Sequence, residues 1–507
     1  MRKNAWSKWI VLLCLCGWIV PVPAHAKRGK IPVLIQVTHN TVGDVSPPKL
    51  RSERGETIVF SSDGDVMGPS PGHRELYIWD TRSQVMAQIT NSQSGESYDG
   101  SRATDTTQTS RTPYVAFVST ADLDPTVGNA DGNPELFIWE VTTGVFHQIT
   151  DTTWPVENKT PYPSDSGRCI AFVSTGDLDD NLGEDPNHPA TGWTNPDGSQ
   201  EVFIVRMGDD NRPVPGTTTQ ISNGPAGTHS WNPVIGDYYW PRQCQQTFYL
   251  SDYDQLGNGA TGVNIYRFKR NAGTVDQMTL SDRENPGGLP IGTPGAPVFY
   301  DHLNMSGASR FATGPYIVYD TAVDVLNSAN PGINVFKYRI QHPRTWQYTG
   351  VADPFYARRP AVSDGGDWIA FESNGELLNP KRRVQSGASP PFNADGNQEI
   401  FRAKGRRRMT QITQSENCEN GFPSIQDNGT AIAFRSTCDL IPGNNPNGLP
   451  QIFLYKQVRE DDPLLQPGNC LVSEGCCNEA NGCYQPIVGR AVRPNRKNCL
   501  AKRRGCG

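Results

Sequence analysis

The chain is written as short apolar runs of five or six residues, rich in β-branched and aromatic side chains and separated by polar breaks with Asp-Gly and Asn-Gly. Runs of that length and makeup, punctuated by those dipeptides, predict β-strands joined by hairpin turns. One tripeptide recurs throughout: Gln, an apolar residue, then Thr or Ser. It stands at Gln36-Val37-Thr38, Gln88-Ile89-Thr90, Gln148-Ile149-Thr150, Gln220-Ile221-Ser222, Gln277-Met278-Thr279, Gln347-Tyr348-Thr349 and Gln411-Ile412-Thr413, at intervals of 52, 60, 72, 57, 70 and 64 residues.

Each tripeptide closes a unit with the same internal order. In the last unit, Phe422-Pro423-Ser424-Ile425 is a short first strand, Asp427-Asn428-Gly429 a turn, Ala431 to Ser436 a buried second strand, and Gln451 to Lys456 a third strand. A Gly/Asn/Pro loop opened by Cys438-Asp439-Leu440 joins the second strand to the third. Elsewhere VAFVS, IAFVS and IAFES are second strands, and ELFIW, EVFIV and EIFR are third strands. A four-stranded unit at this period predicts a propeller blade. The last unit lacks a fourth strand, because the chain continues into Glu460-Asp461-Asp462-Pro463. The missing strand stands at the other end, as Val33-Leu34-Ile35-Gln36-Val37-Thr38. The expected fold class is therefore all-β: a seven-bladed β-propeller closed by an N-terminal strand that completes the last blade and covers its exposed edge. A six-bladed ring would leave one tripeptide strand unused.

Composition agrees. Gly 50 and Pro 41 in 507 residues are too many breakers for long helices, and charged residues make up 19%. The net charge of −6 argues against a nucleic-acid partner, which needs a basic face. Arg2, Lys3 and Lys8 precede an apolar stretch from Ile10 to Val20, and Ala24-His25-Ala26 offers a small-x-small cleavage pattern. Residues 1–26 thus read as a secretory signal peptide. Cys14 and Cys16 follow Leu13 and Leu15, where a lipoprotein would need small residues. No later run is long enough for a membrane helix. The expected domains are 1–26 signal, 27–462 propeller and 463–507 a basic Cys-rich tail. The expected location is exported, periplasmic or extracellular, and the expected state is a monomer.

The blade pattern Pro-x-Ile…Asp-x-Gly…Ile-Ala-Phe-x-Ser…Asp-Leu…Asp-Gly-x-x-Glu-Ile-Phe…Gln-Ile-Thr resembles the TolB-like bacterial β-propeller repeats, over roughly residues 31–458. The resemblance implies the fold. It leaves function open, since propellers of this kind serve as binding modules, as gates on peptidases and as parts of envelope complexes. The chain departs from that family in having only a few residues between the signal and the first strand. It also has no Gly-x-Ser-x-Gly elbow in the residues after the propeller.

Several groups are candidate sites. The loops between second and third strands hold Asp122, Asp131 and Glu135, then Asp177, Asp197 and Glu201, then Asp395 and Glu399. Oxygen ligands in that density suit calcium. The competing reading is turn chemistry, in which Asp bonds local backbone and Gly supplies positive φ. Other blades carry Asn264, Asn334 and Gln451 in place of the Glu. The same loops are longest in the third and sixth blades, where His188, Trp193, Lys381, Arg382 and Arg383 are the candidate ligand contacts of the rim. None of His39, His73, His147, His188, His229, His302 and His342 stands at metal-ligand spacing from another. Asp165-x-Gly167 and Asp364-x-x-Asp367 resemble fragments of a sialidase Asp-box, at hairpins where a tight turn is needed anyway. No catalytic residue and no cofactor is assigned.

Ten cysteines follow the signal. In an exporting compartment they are expected to pair. Cys418 with Cys438 would staple the last blade, and Cys169 with Cys244 would link neighbouring blades. Cys470, Cys476, Cys477, Cys483, Cys499 and Cys506 crowd the tail as a small disulfide knot of open connectivity, with a zinc ribbon as the weaker alternative. The tail carries seven Lys/Arg against two Glu from Asn469 onward and would suit an anionic surface, or simply cap the propeller.

The function expected on these grounds is a non-enzymatic binding scaffold for a protein or glycan partner. The rival is a carbohydrate-active enzyme on the same fold. A third possibility is a structural component held by its tail. A channel or rim cluster of two or three carboxylates with a His would favour the enzyme, and satisfied turn carboxylates would favour the scaffold.

Overall fold

The computed structural model describes residues 30–50, 57–103, 112–181, 183, 190–236, 244–278, 298–306, 316–323, 325–326, 332–340, 344–377, 393, 395–405, 408–426, 428–458 and the short strands at 470–471, 477–478 and 482–483. Among these residues there is no α-helix, and a 3-10 turn occupies Arg270–Ala272. Residues 1–29 lie outside them, as does most of the tail.

The strands form antiparallel meanders. After β1 (Ile31–Gln36) come β2 (Lys49–Leu50), β3 (Thr57–Ser62), β4 (Glu75–Asp80) and β5 (Met86–Gln88). The next sheet is β6 (Ser97–Arg102), β7 (Tyr114–Ser119), β8 (Glu135–Glu140) and β9 (Phe146–Gln148). Then come β10 (Asn158–Pro163), β11 (Cys169–Ser174), β12 (Glu201–Arg206) and β13 (Thr219–Gln220). A larger sheet runs from β14 (Ser230–Gly236), β15 (Gln246–Ser251), β16 (Gly262–Lys269) and β17 (Thr274–Gln277) into β18 (Val298–Met305), β19 (Tyr316–Thr321), β20 (Asn334–Arg339) and β21 (Arg344–Gln347). Its halves are separate meanders that touch through the short parallel pairing of Gly262 and Val263 with Val298 and Phe299. β22 (Ala357–Val362), β23 (Trp368–Ser373), β24 (Glu399–Lys404) and β25 (Arg408–Gln411) follow. The last sheet holds β26 (Asn420–Ile425), β27 (Ala431–Ser436) and β28 (Gln451–Val458). The arrangement is consistent with a β-propeller.

β1 lies antiparallel on β28, with Ile31 opposite Val458 and Gln36 opposite Phe453. Its free edge takes β29 (Cys470–Leu471), so the beginning of the tail extends this sheet. Further on, β30 (Cys477–Asn478) pairs with β31 (Gly482–Cys483). First strands pack on one another in chain order from β2 through β26, and β26 in turn touches β2. At that last contact Leu50 N donates to Ser424 Oγ at 2.9 Å.

The core is built in phase. Second and third strands place an aromatic pair directly opposite each other in each meander: Phe60–Tyr77, Phe117–Phe137, Phe172–Phe203, Tyr249–Tyr266, Tyr319–Phe336, Phe371–Phe401 and Phe434–Phe453. Their ring centroids lie between 5.6 and 5.8 Å apart, in stacked geometry. The hairpins between first and second strands lock neighbouring meanders together. Gly429 has φ +68°, and a Cβ there would lie 2.1 Å from Trp368 of the preceding sheet. Its carbonyl accepts Arg402 Nη1 at 2.8 Å. Gly366 repeats the device against Tyr316, and its carbonyl accepts Lys337 Nζ. Asp165-x-Gly167 forms the corresponding turn, where Gly167 O accepts the Tyr114 hydroxyl at 3.0 Å. Steric need at these turns accounts for the glycines within the motif that resembled an Asp-box.

Candidate functional site

The recurrent tripeptide has a structural purpose. Its Thr or Ser accepts a backbone N–H at the start of the third strand: Leu76 N to Thr90, Leu136 N to Thr150, Val202 N to Ser222, Val335 N to Thr349 and Ile452 N to Thr38, each at 2.8–2.9 Å. The same hydroxyl donates to the residue that opens that strand. Thr150 gives to Glu135, Ser222 to Glu201, Thr349 to Asn334 and Thr38 to Gln451. Glu135 also accepts Thr152 N and Asn158 Nδ2, Glu201 accepts Gly224 N, and Glu399 accepts Ser415 N and Oγ. Burial pushes Glu399 up to about 7 and raises Glu201, against these donors.

The loop aspartates sit apart from these buried glutamates, on exposed turns. Asp131 accepts Trp154 N at 3.0 Å, and Asp197 accepts Ser199 N at 3.0 Å, a bond that lowers its pKa. Asp395 is exposed on its turn. Asp124, Asp179 and Asp439 take backbone N–H groups of their own loops or of neighbouring strands. Among the described residues, none of the eight loop carboxylates offered for calcium belongs to a group of three close enough to share an ion. Trp193 is half-buried. His188, Lys381, Arg382 and Arg383 lie outside the described residues.

Both propeller disulfides form. Cys169–Cys244 joins two sheets with Cα atoms 6.2 Å apart, and Cys418–Cys438 spans 5.2 Å beside β26 and β27. The side chains of the six tail cysteines lie outside the described residues.

A different set of positions gathers the polar chemistry. Each first strand from β6 onward carries a bulge whose central residue has positive φ without being Gly: Asp99, Thr160, Asn232, His302, Arg359 and Phe422, at +45° to +55°. A bulge re-aims side chains, so two consecutive residues reach the same side. Pro161, Pro233, Pro360 and Pro423 follow four of these residues, as suits a bulge on an edge strand. Ser97 pairs with Ser119, and Asn158 with Ser174. That register puts the start of each first strand, and the bulge near it, at the same end as the second-to-third-strand loops.

The residue before each bulge faces the penultimate residue of the second strand. There, Val118, Val173 and Leu250 are apolar, whereas Asp320, Glu372 and Arg435 carry charge in three consecutive sheets. Asp320 and Glu372 are buried. Each accepts the bulge N–H of the next sheet: Arg359 N reaches Asp320 Oδ2 at 2.7 Å, and Phe422 N reaches Glu372 Oε2 at 2.8 Å. Glu372 also takes both arginines, Arg358 Nε at 2.8 Å and the guanidinium of Arg359. The arginines stack on rings, Arg358 over Tyr356 and Arg359 over Phe422, each at 4.2 Å. Arg435 Nη2 donates to Asp44 at 2.7 Å.

His302 Nδ1 lies 3.0 Å from Asp320 Oδ2 and 3.3 Å from Asp301 Oδ2. Burial alone would lower its pKa. The hydrogen bond and charge of Asp320, aided by Asp301, outweigh that, and the net shift is upward. Asp99 meets solvent but is enclosed by protein on most sides. That enclosure raises its carboxyl despite Lys49, Lys159 and Arg74 and a bond from Thr160 N. Sequence reading assigned none of these residues to a site. The signal was present in the aligned repeats as a charge at the fifth position of YIVYDT, WIAFES and AIAFRS.

No protein-family model and no curated protein matches the chain, so the TolB-like likeness stays a resemblance of repeats. Solved structures similar to it are propeller-type proteins of low identity. An oligogalacturonate lyase from Vibrio parahaemolyticus is 10% identical, with a TM-score of 0.49 over 83% of this chain and 93% of that one. The β-propeller domain of the Trilobed protease from Pyrococcus furiosus is 8% identical, with a TM-score of 0.44 over 83% and 99%. TolB from Acinetobacter baumannii is 11% identical, with a TM-score of 0.33 over 82% and 80%. No residue role is taken from them.

Proposed function

We propose that the chain is an exported binding scaffold, a seven-bladed propeller closed by β1, whose ligand surface is the circle of first-strand bulges. The carrying observation is a contrast within the chain. Stacked aromatics, strand-opening Glu, Asn or Gln and tripeptide hydroxyls recur from sheet to sheet, while the bulge changes every time: Asp99, Thr160, Asn232, His302, Arg359, Phe422. A framework needs the former, and discrimination of a ligand needs the latter. Ring closure is supported by the pairing of β1 with β28 and the contact of β26 with β2. Export is supported by two disulfides. The neighbouring Tyr98, Trp231, Arg358 and Asp301 add aromatic faces, a guanidinium and a carboxylate, a mixture suited to glycans or peptides.

One observation favours the rival reading of a carbohydrate-active enzyme: Asp301, His302 and Asp320 form the carboxylate–His cluster such chemistry requires. The test is incubation of the purified protein with neutral and anionic oligosaccharides, read for binding by calorimetry and for cleavage by product chromatography. Binding without cleavage supports the scaffold. Cleavage that disappears in His302→Gln supports the enzyme.

A further inference from the structure

We infer that Asp301, His302 and Asp320 form a binding site for one divalent first-row transition cation of the zinc type. The site does not depend on which of the two functional readings holds. The three ligand atoms, one from each residue, lie within 4.8 Å of one another, and His302 Nδ1 is 3.0 Å from Asp320 Oδ2 and 3.3 Å from Asp301 Oδ2. Neighbouring corners of a tetrahedron with metal–ligand bonds of about 2.0–2.2 Å lie about 3.3–3.6 Å apart, so the spacing of His302 to Asp301 fits as it stands and that of His302 to Asp320 needs to open by a few tenths of an ångström.

The fold assembles the trio deliberately. In a regular strand Asp301 and His302 would point to opposite faces. The bulge between Asp301 and Asn304, with His302 at φ +45°, brings both to Asp320 on the neighbouring strand. Asp320 occupies a position that is Val118, Val173 or Leu250 in three other sheets, so a buried carboxylate has replaced an apolar side chain there. Arg359 N at 2.7 Å holds that carboxylate in place, as an outer-shell donor orients a metal ligand. The guanidinium of Arg359 is turned to Glu372, which offsets its charge.

Asp320 is buried, His302 half-buried and Asp301 exposed. The trio is therefore open on one side, as in sites where three protein ligands leave a position for water or substrate. One imidazole nitrogen with two carboxylates suits zinc, manganese or a similar ion. Calcium prefers oxygen alone.

The test is zinc titration of the full, oxidised, EDTA-treated protein by calorimetry, with Asp301→Asn and His302→Gln alongside. Thermal unfolding checks that each variant folds, and Asp301, with its side chain 59% exposed, is the safer substitution. The expected result is one equivalent bound by the parent protein, with affinity reduced more than about tenfold in either variant. Calcium should not displace the zinc. Absence of uptake by the parent overturns the assignment. So does uptake that both folded variants retain, since the ion would then sit elsewhere, for example among the tail cysteines.

Discussion

Thr38→Val probes the joining of the chain's two ends. The Thr38 hydroxyl donates to Gln451 Oε1 at 2.7 Å and accepts Ile452 N at 2.9 Å, across 413 and 414 residues of sequence. Thr38 and Ile452 are fully buried. Valine keeps the shape and removes both bonds. Gln451 Oε1 keeps a bond from Asn40 N at 3.1 Å, so the main cost is the stranded N–H of Ile452. A buried donor left unpaired costs about 1–3 kcal/mol and the lost bond adds about 1, so a loss of about 2–4 kcal/mol is expected. Thr150→Val is the control. It removes the same bond to Leu136 N within one sheet, where no closure is involved. Urea unfolding followed by tryptophan fluorescence gives both midpoints and slopes. Similar losses for the two variants are expected. A Thr38→Val loss below about 0.5 kcal/mol beside a full loss for Thr150→Val would refute the docking of β1, since a stranded buried donor cannot be that cheap.

Other outcomes follow from the same contacts. Gly429→Ala should cost several kcal/mol in urea unfolding, because the new Cβ would meet Trp368 at 2.1 Å on a backbone of φ +68°. Replacing Cys169 and Cys244 with Ala should destabilise more than replacing Cys418 and Cys438. The closed segments span 75 and 20 residues, and chain entropy gives about 4.5 against about 3.3 kcal/mol. His302 gains affinity for its proton on folding through Asp320 and Asp301, against burial and the charge of Arg359. Its ion pair therefore stabilises fully below the unfolded pKa of about 6.5, and that stabilisation fades as pH rises through the higher folded value. In the EDTA-treated protein, His302→Gln should cost more at pH 5.5 than at pH 8.5, and equal costs would remove the imidazolium from the account. Addition of millimolar calcium should leave the unfolding midpoint unchanged, because Glu135 and Glu201 are already engaged by Thr150, Thr152, Ser222 and Gly224.

The strands were legible because each one repeats. Ala431–Ser436 has the bounds its sequence suggested, and a strand pattern sampled many times in phase outweighs local ambiguity. The Cys169–Cys244 bridge was harder to read, since Cys244 lies just outside β15 whereas Cys169 opens β11. The loops allowed two readings. Dense Asp and Glu look like an ion site along the chain, but the Glu residues turn inward to the tripeptide hydroxyls while the Asp residues stay outside. The bulge cluster was missed for the opposite reason. Asp301 and His302 are sequence neighbours that a regular strand would separate, and only the register with β19 brings Asp320 to them. Asp320, Glu372 and Arg435 were visible as charges inside apolar second strands. Their meaning required knowing that the facing residue is Asp301, Arg358 or Gly421.

Hydrogen exchange of the full chain with and without an oligosaccharide that calorimetry has shown to bind tests the central claim most directly. Ligand contact at the bulges predicts slowed exchange in segments 97–102, 158–163, 230–236, 298–305, 357–362 and 420–425, the first strands, in several sheets at once. Protection confined to the Asp/Gly turns around Asp131, Asp197 and Asp395, with unchanged first strands, would contradict it.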